Sequence, residues 1–156
     1  MSTAPDELHL AERIRNAGVR VTRPRLLVLS LLHEIGGHRS AEDMVDVLRS
    51  RRSTLPRASV YNVLNDLADH GLVMRVDAGP GRALYEAASM WHHHFVCRVC
   101  QCIIDVPCAV GSKPCMMPEI KGLVVDEAQV IFRGLCPFAC EHPSEQLGPK
   151  PTCCES

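Results

Sequence analysis

The segment His92-His93-His94-Phe95-Val96-Cys97-Arg98-Val99-Cys100 constrains this chain more than any other. Three adjacent histidines run almost directly into a Cys-x2-Cys, which crowds nitrogen and sulfur metal ligands onto nine residues. In an extended strand, residues two apart share a face. His92 and His94 then point one way and His93 the other. Two imidazoles on one face are a ready ligand pair for a borderline divalent ion. The Cys-x2-Cys that follows can grip one side of a tetrahedral zinc. Two sites of different chemistry therefore start here, one soft and closed, the other mixed and exchangeable.

The cysteines reinforce this reading. All nine lie after residue 96, an odd number confined to one half of the chain. No signal-like segment is visible at the acidic start, and the longest apolar run, Leu26 to Leu32, is interrupted by Ser30 and too short to span a bilayer. Clustered thiols in a cytoplasmic chain point to metal binding or redox sensing rather than to a disulfide framework. Cys97 and Cys100 supply half of a four-thiolate zinc site, and Cys136 with Cys140 can supply the rest; Cys153 and Cys154 are possible substitutes. A redox Cys-x2-Cys without zinc is the competing reading.

Charge separates the halves. Residues 1–78 carry eleven Arg, no Lys and ten acidic residues, within a formal net charge of −1 for the whole chain. Arg as the sole base suits bidentate phosphate or guanine contacts, although ordinary surface arginines would look the same. The pattern in this half is helical. Leu10, Ile14 and Ala17 predict a helix near 6–17. Thr22 as N-cap with Pro24 in the first turn opens a second, whose apolar stretch Leu26–Ile35 ends at Gly36-Gly37. Ser40 and Asp43 form a capping box for a third. A fourth runs from about Pro56 to His70, with Val60, Val63, Leu64 and Leu67 inward and Arg57, Ala58, Tyr61, Asn62 and Asn65 outward. Strands at 72–76 and 82–86 around Ala78-Gly79-Pro80-Gly81 add a hairpin, which would make a winged helix-turn-helix; a small helical domain that merely carries a hairpin is the alternative. Further strands are expected at His92–Cys97, Cys102–Val106 and Gln129–Leu135, with loop and a little helix over Pro107–Glu119.

The chain resembles the ferric uptake regulator family of metal-dependent bacterial transcription factors over roughly residues 8–140. The resemblance is carried by Gly18-Val19-Arg20-Val21-Thr22-Arg23-Pro24-Arg25, His38-x-Ser40-Ala41-Glu42, Ala58-Ser59-Val60-Tyr61-Asn62-x-Leu64, His70-Gly71-Leu72-Val73, Tyr85-Glu86 and His92-His93-His94-x2-Cys97-x2-Cys100. Asp105-Val106-x-Cys108-Ala109-Val110-Gly111 looks like the actinobacterial branch that regulates catalase-peroxidase genes.

The resemblance implies an α+β fold: an N-terminal winged-helix domain (1–86), a hinge (87–91), and a small α/β dimerisation domain with structural zinc (92–140). The tail, 141–156, is expected to be disordered from its composition. A homodimer binding an AT-rich palindromic operator in double-stranded DNA is implied. Arg20 would reach the minor groove, with Arg57, Ser59, Tyr61 and Asn62 at the major groove; Tyr61 packed on the third helix is the alternative. To His92, His94 and Asp105, which the strand pattern offers, the resemblance adds Glu86 and His38 as regulatory ligands. The set suits Fe(II) or Mn(II) and admits Zn(II) or Ni(II). It is similar to that of the peroxide-sensing members, in which oxidation of a ligand histidine ends repression.

The sequence departs from the family at two places. The second thiol pair is Cys136-x3-Cys140, with Ala139 where the family has cysteine. Ala128 stands where a third site around His93 would need a histidine, so no third site is assigned; Cys102, Cys108 and Cys115 are either thiol sensors or buried free cysteines. His93 is expected at the surface or behind the ligands. The leading function is a metal-dependent repressor responding to iron or peroxide, with no catalytic activity. A zinc- or nickel-responsive repressor, a non-haem Fe(II) enzyme and a zinc-buffering thiol protein are the competing functions.

Overall fold

A computed structural model describes residues 6–87, 90–112, 114–125 and 128–137. The chain forms two compact units on either side of residues 88–89. Cys140, Cys153, Cys154 and the expected tail lie outside the described residues.

The first unit is built from four helices, two of them with side-chain N-caps, and a small sheet. Helix α1 (Glu7–Asn16) buries Leu10, Ala11 and Ile14, one turn apart, and is followed by Gly18 at φ +75°. Helix α2 (Arg23–Ile35) starts at Thr22, whose side chain accepts a hydrogen bond from the Arg25 backbone N–H. Gly36 at φ +58° ends it. After strand β1 (Arg39–Ser40), helix α3 (Ala41–Ser50) opens on a complete capping box: Ser40 Oγ accepts from Asp43 N at 3.1 Å, and Asp43 Oδ2 accepts from Ser40 N at 2.9 Å. Helix α4 (Arg57–Asp69) buries Val60, Leu64 and Leu67. Leu29 and Leu32 of α2, Met44 and Leu48 of α3, and these α4 residues share one aliphatic core.

Strands β2 (Met74–Asp77) and β3 (Ala83–Glu86) form the expected hairpin. The turn is closed by Ala78 N–H to Arg82 O at 2.9 Å and Arg82 N–H to Gly79 O at 2.9 Å. The sheet order is β1-β3-β2, so β1 adds an unanticipated third strand. Two residues are too few to show an alternating pattern. Its antiparallel register sets Arg39 opposite Tyr85 and Ser40 opposite Leu84. The next step of that register brings His38 to Glu86. Tyr85 also ties the sheet to α4, its hydroxyl donating to Asn65 Oδ1 at 2.8 Å.

The second unit is a three-stranded sheet, order β5-β4-β6, with β4 (His92–Cys97) central. β5 (Ile103–Pro107) pairs with it antiparallel and β6 (Ile131–Gly134) parallel. The stretch after β5 was expected to hold some helix; its described residues hold none. Pro107, Pro114 and Pro118 each remove a backbone donor, and Gly111 turns the chain at φ +74°. Among the described residues, those buried in this unit are His93, His94, Val96, Cys97 and Cys136.

The capping box predicts a local stability cost. Ser40→Ala should lower unfolding free energy by about 1 kcal/mol. Urea denaturation would read this as a lower midpoint at unchanged slope, and no change would place the α3 start outside the cooperative unit.

Candidate metal centres and nucleic-acid interface

The thiols of the second unit converge because β4 and β6 run parallel. Cys97 ends β4 opposite Gly134 of β6, and Cys136 follows two residues later. The Cys136 N–H donates to Cys97 Sγ at 3.4 Å, and Cys100 Sγ lies 3.5 Å from Cys136 Sγ. Between the thiols the chain reverses through Gln101, a non-glycine residue at φ +60°, and Cys97 N–H donates to Cys102 O at 3.0 Å. The turn also carries the Cys102 sulfur inward, so that Cys97, Cys100, Cys102 and Cys136 lie within 4.8 Å of one another. Three of these were expected; Cys102 was missed as a ligand. Its Cys100-x-Cys102 spacing offers no separate signal until the reversal at Gln101 is known.

The electrostatics favour bound metal. Burial pushes the Cys97 thiol up, but hydrogen bonds from the backbone at Cys136, Cys100 and Val99 outweigh it and hold the group at about 6. An unperturbed thiol titrates near 8.5, so Cys97 is a thiolate at neutral pH. Burial pushes Cys100 up, and no charge on the described residues of the cluster offsets a thiolate there. Four sulfurs in this arrangement fit a tetrahedral zinc, whose charge makes deprotonation of all four favourable.

The nitrogen and oxygen ligands occur in two groups, one per unit. In the first, the β1–β3 register sets His38 Nε2 3.0 Å from Glu86 Oε2, with side-chain exposures of only 13% and 8%. A carboxylate that buried requires a cation or strong donors. In the second unit, the alternation along β4 puts His92 and His94 on one face, ring centroids 4.7 Å apart. His94 is fully buried and pairs in register with Asp105. His92 Nε2 lies 3.5 Å from Asp105 Oδ1, while its Nδ1 faces the Met90 carbonyl at 3.0 Å. A carbonyl only accepts, so in the tautomer that donates from Nδ1 to Met90, Nε2 keeps the lone pair a metal needs. Of the two placements expected for His93 the surface one fails: it is 8% exposed and lies in the interior of the opposite face.

On α4, Arg57 and Asn62 are exposed and Ser59 and Tyr61 half-buried. Tyr61 takes the alternative placement, packed toward α3. Its hydroxyl donates to Glu42 Oε2 of α3 at 2.6 Å, its ring packs against the core, and Arg57 lies 5.5 Å above that ring. Arg57 Nη2 also meets Glu42 Oε2 at 2.8 Å. Arg20 is exposed before α2; its carbonyl accepts from Arg25, whose Nε pairs with Asp66 of α4 at 2.7 Å. A groove lined by Thr22, Pro24, Arg25, Ser59, Asn62 and Asp66 runs between these elements.

The family model described as the ferric uptake regulator family matches residues 16–111. The chain belongs to the ferric uptake regulator family. It is 41% identical over 139 residues to the transcriptional regulator FurA of Mycobacterium tuberculosis, covering 88% of this chain and 92% of that one. It is 39% identical over 151 residues to ferric uptake regulation protein 2 of Mycolicibacterium fortuitum, covering 92% and 99%. Among solved structures it resembles the manganese-containing ferric uptake regulator of Pseudomonas aeruginosa, with 28% identity, TM-score 0.63, and coverage of 81% of this chain and 96% of that one. The Vibrio cholerae ferric uptake regulator gives 26% identity and TM-score 0.61, with coverage of 81% and 99%. The match confirms the α+β fold with a winged helix and places this family member beside the actinobacterial FurA proteins.

The thiol cluster gives a direct expectation. Cys97→Ser should lose one equivalent of chelator-resistant zinc and lower the melting temperature, because metal-binding free energy in such sites is folding free energy. Zinc retained in a folded variant would remove Cys97 from the site. Parallel Cys102→Ser and Cys140→Ser chains assign the fourth sulfur: the one that gives up its zinc contained the ligand.

Proposed function

We propose that this family member is a cytoplasmic, metal-dependent repressor of transcription that binds a palindromic operator in double-stranded DNA as a homodimer. Its signal is iron, or peroxide read through iron, and its targets are oxidative-stress or metal-homeostasis genes. One observation carries the reading: the winged-helix unit holds its own buried ligand pair, His38 and Glu86. An imidazole and a carboxylate held side by side are a donor pair that a divalent ion could use. His38, Glu86, His92, His94 and Asp105 are the proposed regulatory ligands, drawn from both units. Three imidazoles and two carboxylates suit Fe(II) or Mn(II) and admit Zn(II) or Ni(II). Cys97, Cys100 and Cys136, with Cys140 or Cys102, are the proposed structural zinc ligands.

Ligands drawn from both units would make the angle between them depend on metal occupancy, which selects one arrangement of the DNA-reading helices. Bound iron would supply the redox sensitivity; the protein's part is to hold the imidazoles. In the operator complex α4 would enter the major groove with Arg57, Ser59, Tyr61 and Asn62, and Arg20 the minor groove. The similarity to FurA and to ferric uptake regulation proteins supports a regulator over an enzyme. In keeping with this, no described helix is long and apolar enough to cross a membrane.

The test is operator affinity at one fixed salt concentration for chelated, Mn(II)-loaded and Fe(II)-loaded protein, the last before and after peroxide. Salt is fixed because phosphate contacts make affinity steeply salt-dependent. Binding should require metal, and the Fe(II) form should lose it after peroxide; metal-dependent binding indifferent to peroxide leaves iron as the signal. Binding that ignores metal would overturn the proposal. His38→Ala should weaken metal-dependent binding about 10-fold or more while the thermal melt stays unchanged. Loss of solubility instead would mean that His38 serves the fold.

A further inference from the structure

We propose that His93, Cys108 and Cys115 form a third metal site in the second unit, a thiolate–imidazole site for zinc. It is separate from both the four-thiol cluster and the His92/His94 face. The pleat of β4 places His93 on the opposite side from His92 and His94, with Val106 of β5 as its register partner. Cys108 follows β5 directly. The chain then turns at Ala109–Gly111, where the Gly111 N–H donates to Cys108 Sγ at 3.4 Å. The return leg carries Cys115 back, its sulfur 3.4 Å from His93 Nε2 and 3.8 Å from the Ala128 carbonyl oxygen. One ring nitrogen and the two sulfurs all lie within 4.8 Å of one another.

These separations approach what zinc requires. Tetrahedral Zn–S and Zn–N bonds put neighbouring sulfur and nitrogen about 3.5 Å apart and two sulfurs about 3.8 Å apart. Contraction by an ångström or less closes the triangle around an ion. The site also has a reason to bind one. His93 is 8% exposed, yet its Nε2 meets a thiol, a weak hydrogen-bonding partner, and its Nδ1 has none among the described residues. A buried imidazole left this way is costly, and ligation through one nitrogen relieves the cost. Trp91 packs edge-on to the ring at 6.0 Å and 81°, fixing its orientation.

The half-buried Cys108 and Cys115 leave one side accessible, for ion entry and a solvent ligand in the fourth position. Cys115 also reaches the Ala128 backbone carbonyl, which helps hold its sulfur beside His93. Two thiolates make this set softer than the His92/His94/Asp105 group. It selects zinc over Fe(II) or Mn(II).

The test is zinc uptake by the metal-stripped, reduced full chain against a chromophoric chelator, for wild type, Cys108→Ser, Cys115→Ser and His93→Gln. Each variant should take up one equivalent less than wild type while keeping its chelator-resistant zinc and its circular dichroism spectrum. Cobalt substitution should show a thiolate-to-metal charge-transfer band weaker in both cysteine variants. Equal uptake by all four chains overturns the proposal. So does a variant that loses all its zinc together, since the site would then not be separate. A Cys108–Cys115 disulfide that forms under reducing conditions in place of zinc uptake also overturns it.

Discussion

The alternation of side chains along β4 distributes the metal chemistry of this protein. A strand has a period of two, so three consecutive histidines cannot serve one ion. His92 and His94 go to one face, and His93 joins Cys97 on the other. The neighbouring strands then deliver ligands according to register. Asp105 arrives opposite His94, and β6, running parallel, brings Cys136 to Cys97. The register is pinned sterically as well. A Cβ on Gly134 would stand 3.1 Å from the Phe95 ring, so glycine there lets β6 lie close to β4. A one-residue slip would exchange the faces and scatter both ligand sets.

Burial explains why the ligands matter to the fold. The first unit packs an aliphatic core from all four helices. The second has nothing comparable: among its described residues, two thiols and two imidazoles outnumber the one aliphatic side chain in its interior. Groups of that kind stabilise little until they bind something, and small domains with thin cores commonly depend on a metal. Several of its apolar side chains stay partly exposed, on the same face of β4 as His93 and Cys97. Ile104, Phe95 and Phe132 form one cross-strand row, with Ile104 and Phe132 37% and 47% exposed. An apolar row on a sheet face is suited to cover by a second copy, in keeping with the proposed homodimer.

Much of the first unit was legible because its signals are local. Thr22 before Pro24, and Ser40 three residues before Asp43, announce helix starts through hydrogen bonds that need no tertiary context. The shared face of His92 and His94 followed from strand periodicity alone. What stayed hidden depended on chain reversals. Cys102 joins the thiol cluster through the turn at Gln101, and Cys115 meets His93 through the loop after β5. Neither spacing carries a recognisable pattern. Strand β1 was too short to read, although it sets His38 beside Glu86. For that pair the family resemblance supplied what periodicity could not.

In the first unit the proposed ligand His38 stands close along the chain to the helix proposed to read DNA. His38 immediately precedes β1, and β1 ends in Ser40, the N-cap of α3. In the first turn of that helix, Glu42 accepts from Tyr61 and pairs with Arg57, both on α4. The chain from ligand to recognition helix is therefore short, hydrogen-bonded and backed by a packed core. Glu42 cuts two ways. It orders Arg57 and Tyr61 in the free protein, and it neutralises a base that a phosphate would otherwise attract. The proposed DNA contact by Arg57 would displace or share the Glu42 pair, an exchange between exposed charges of small net energy.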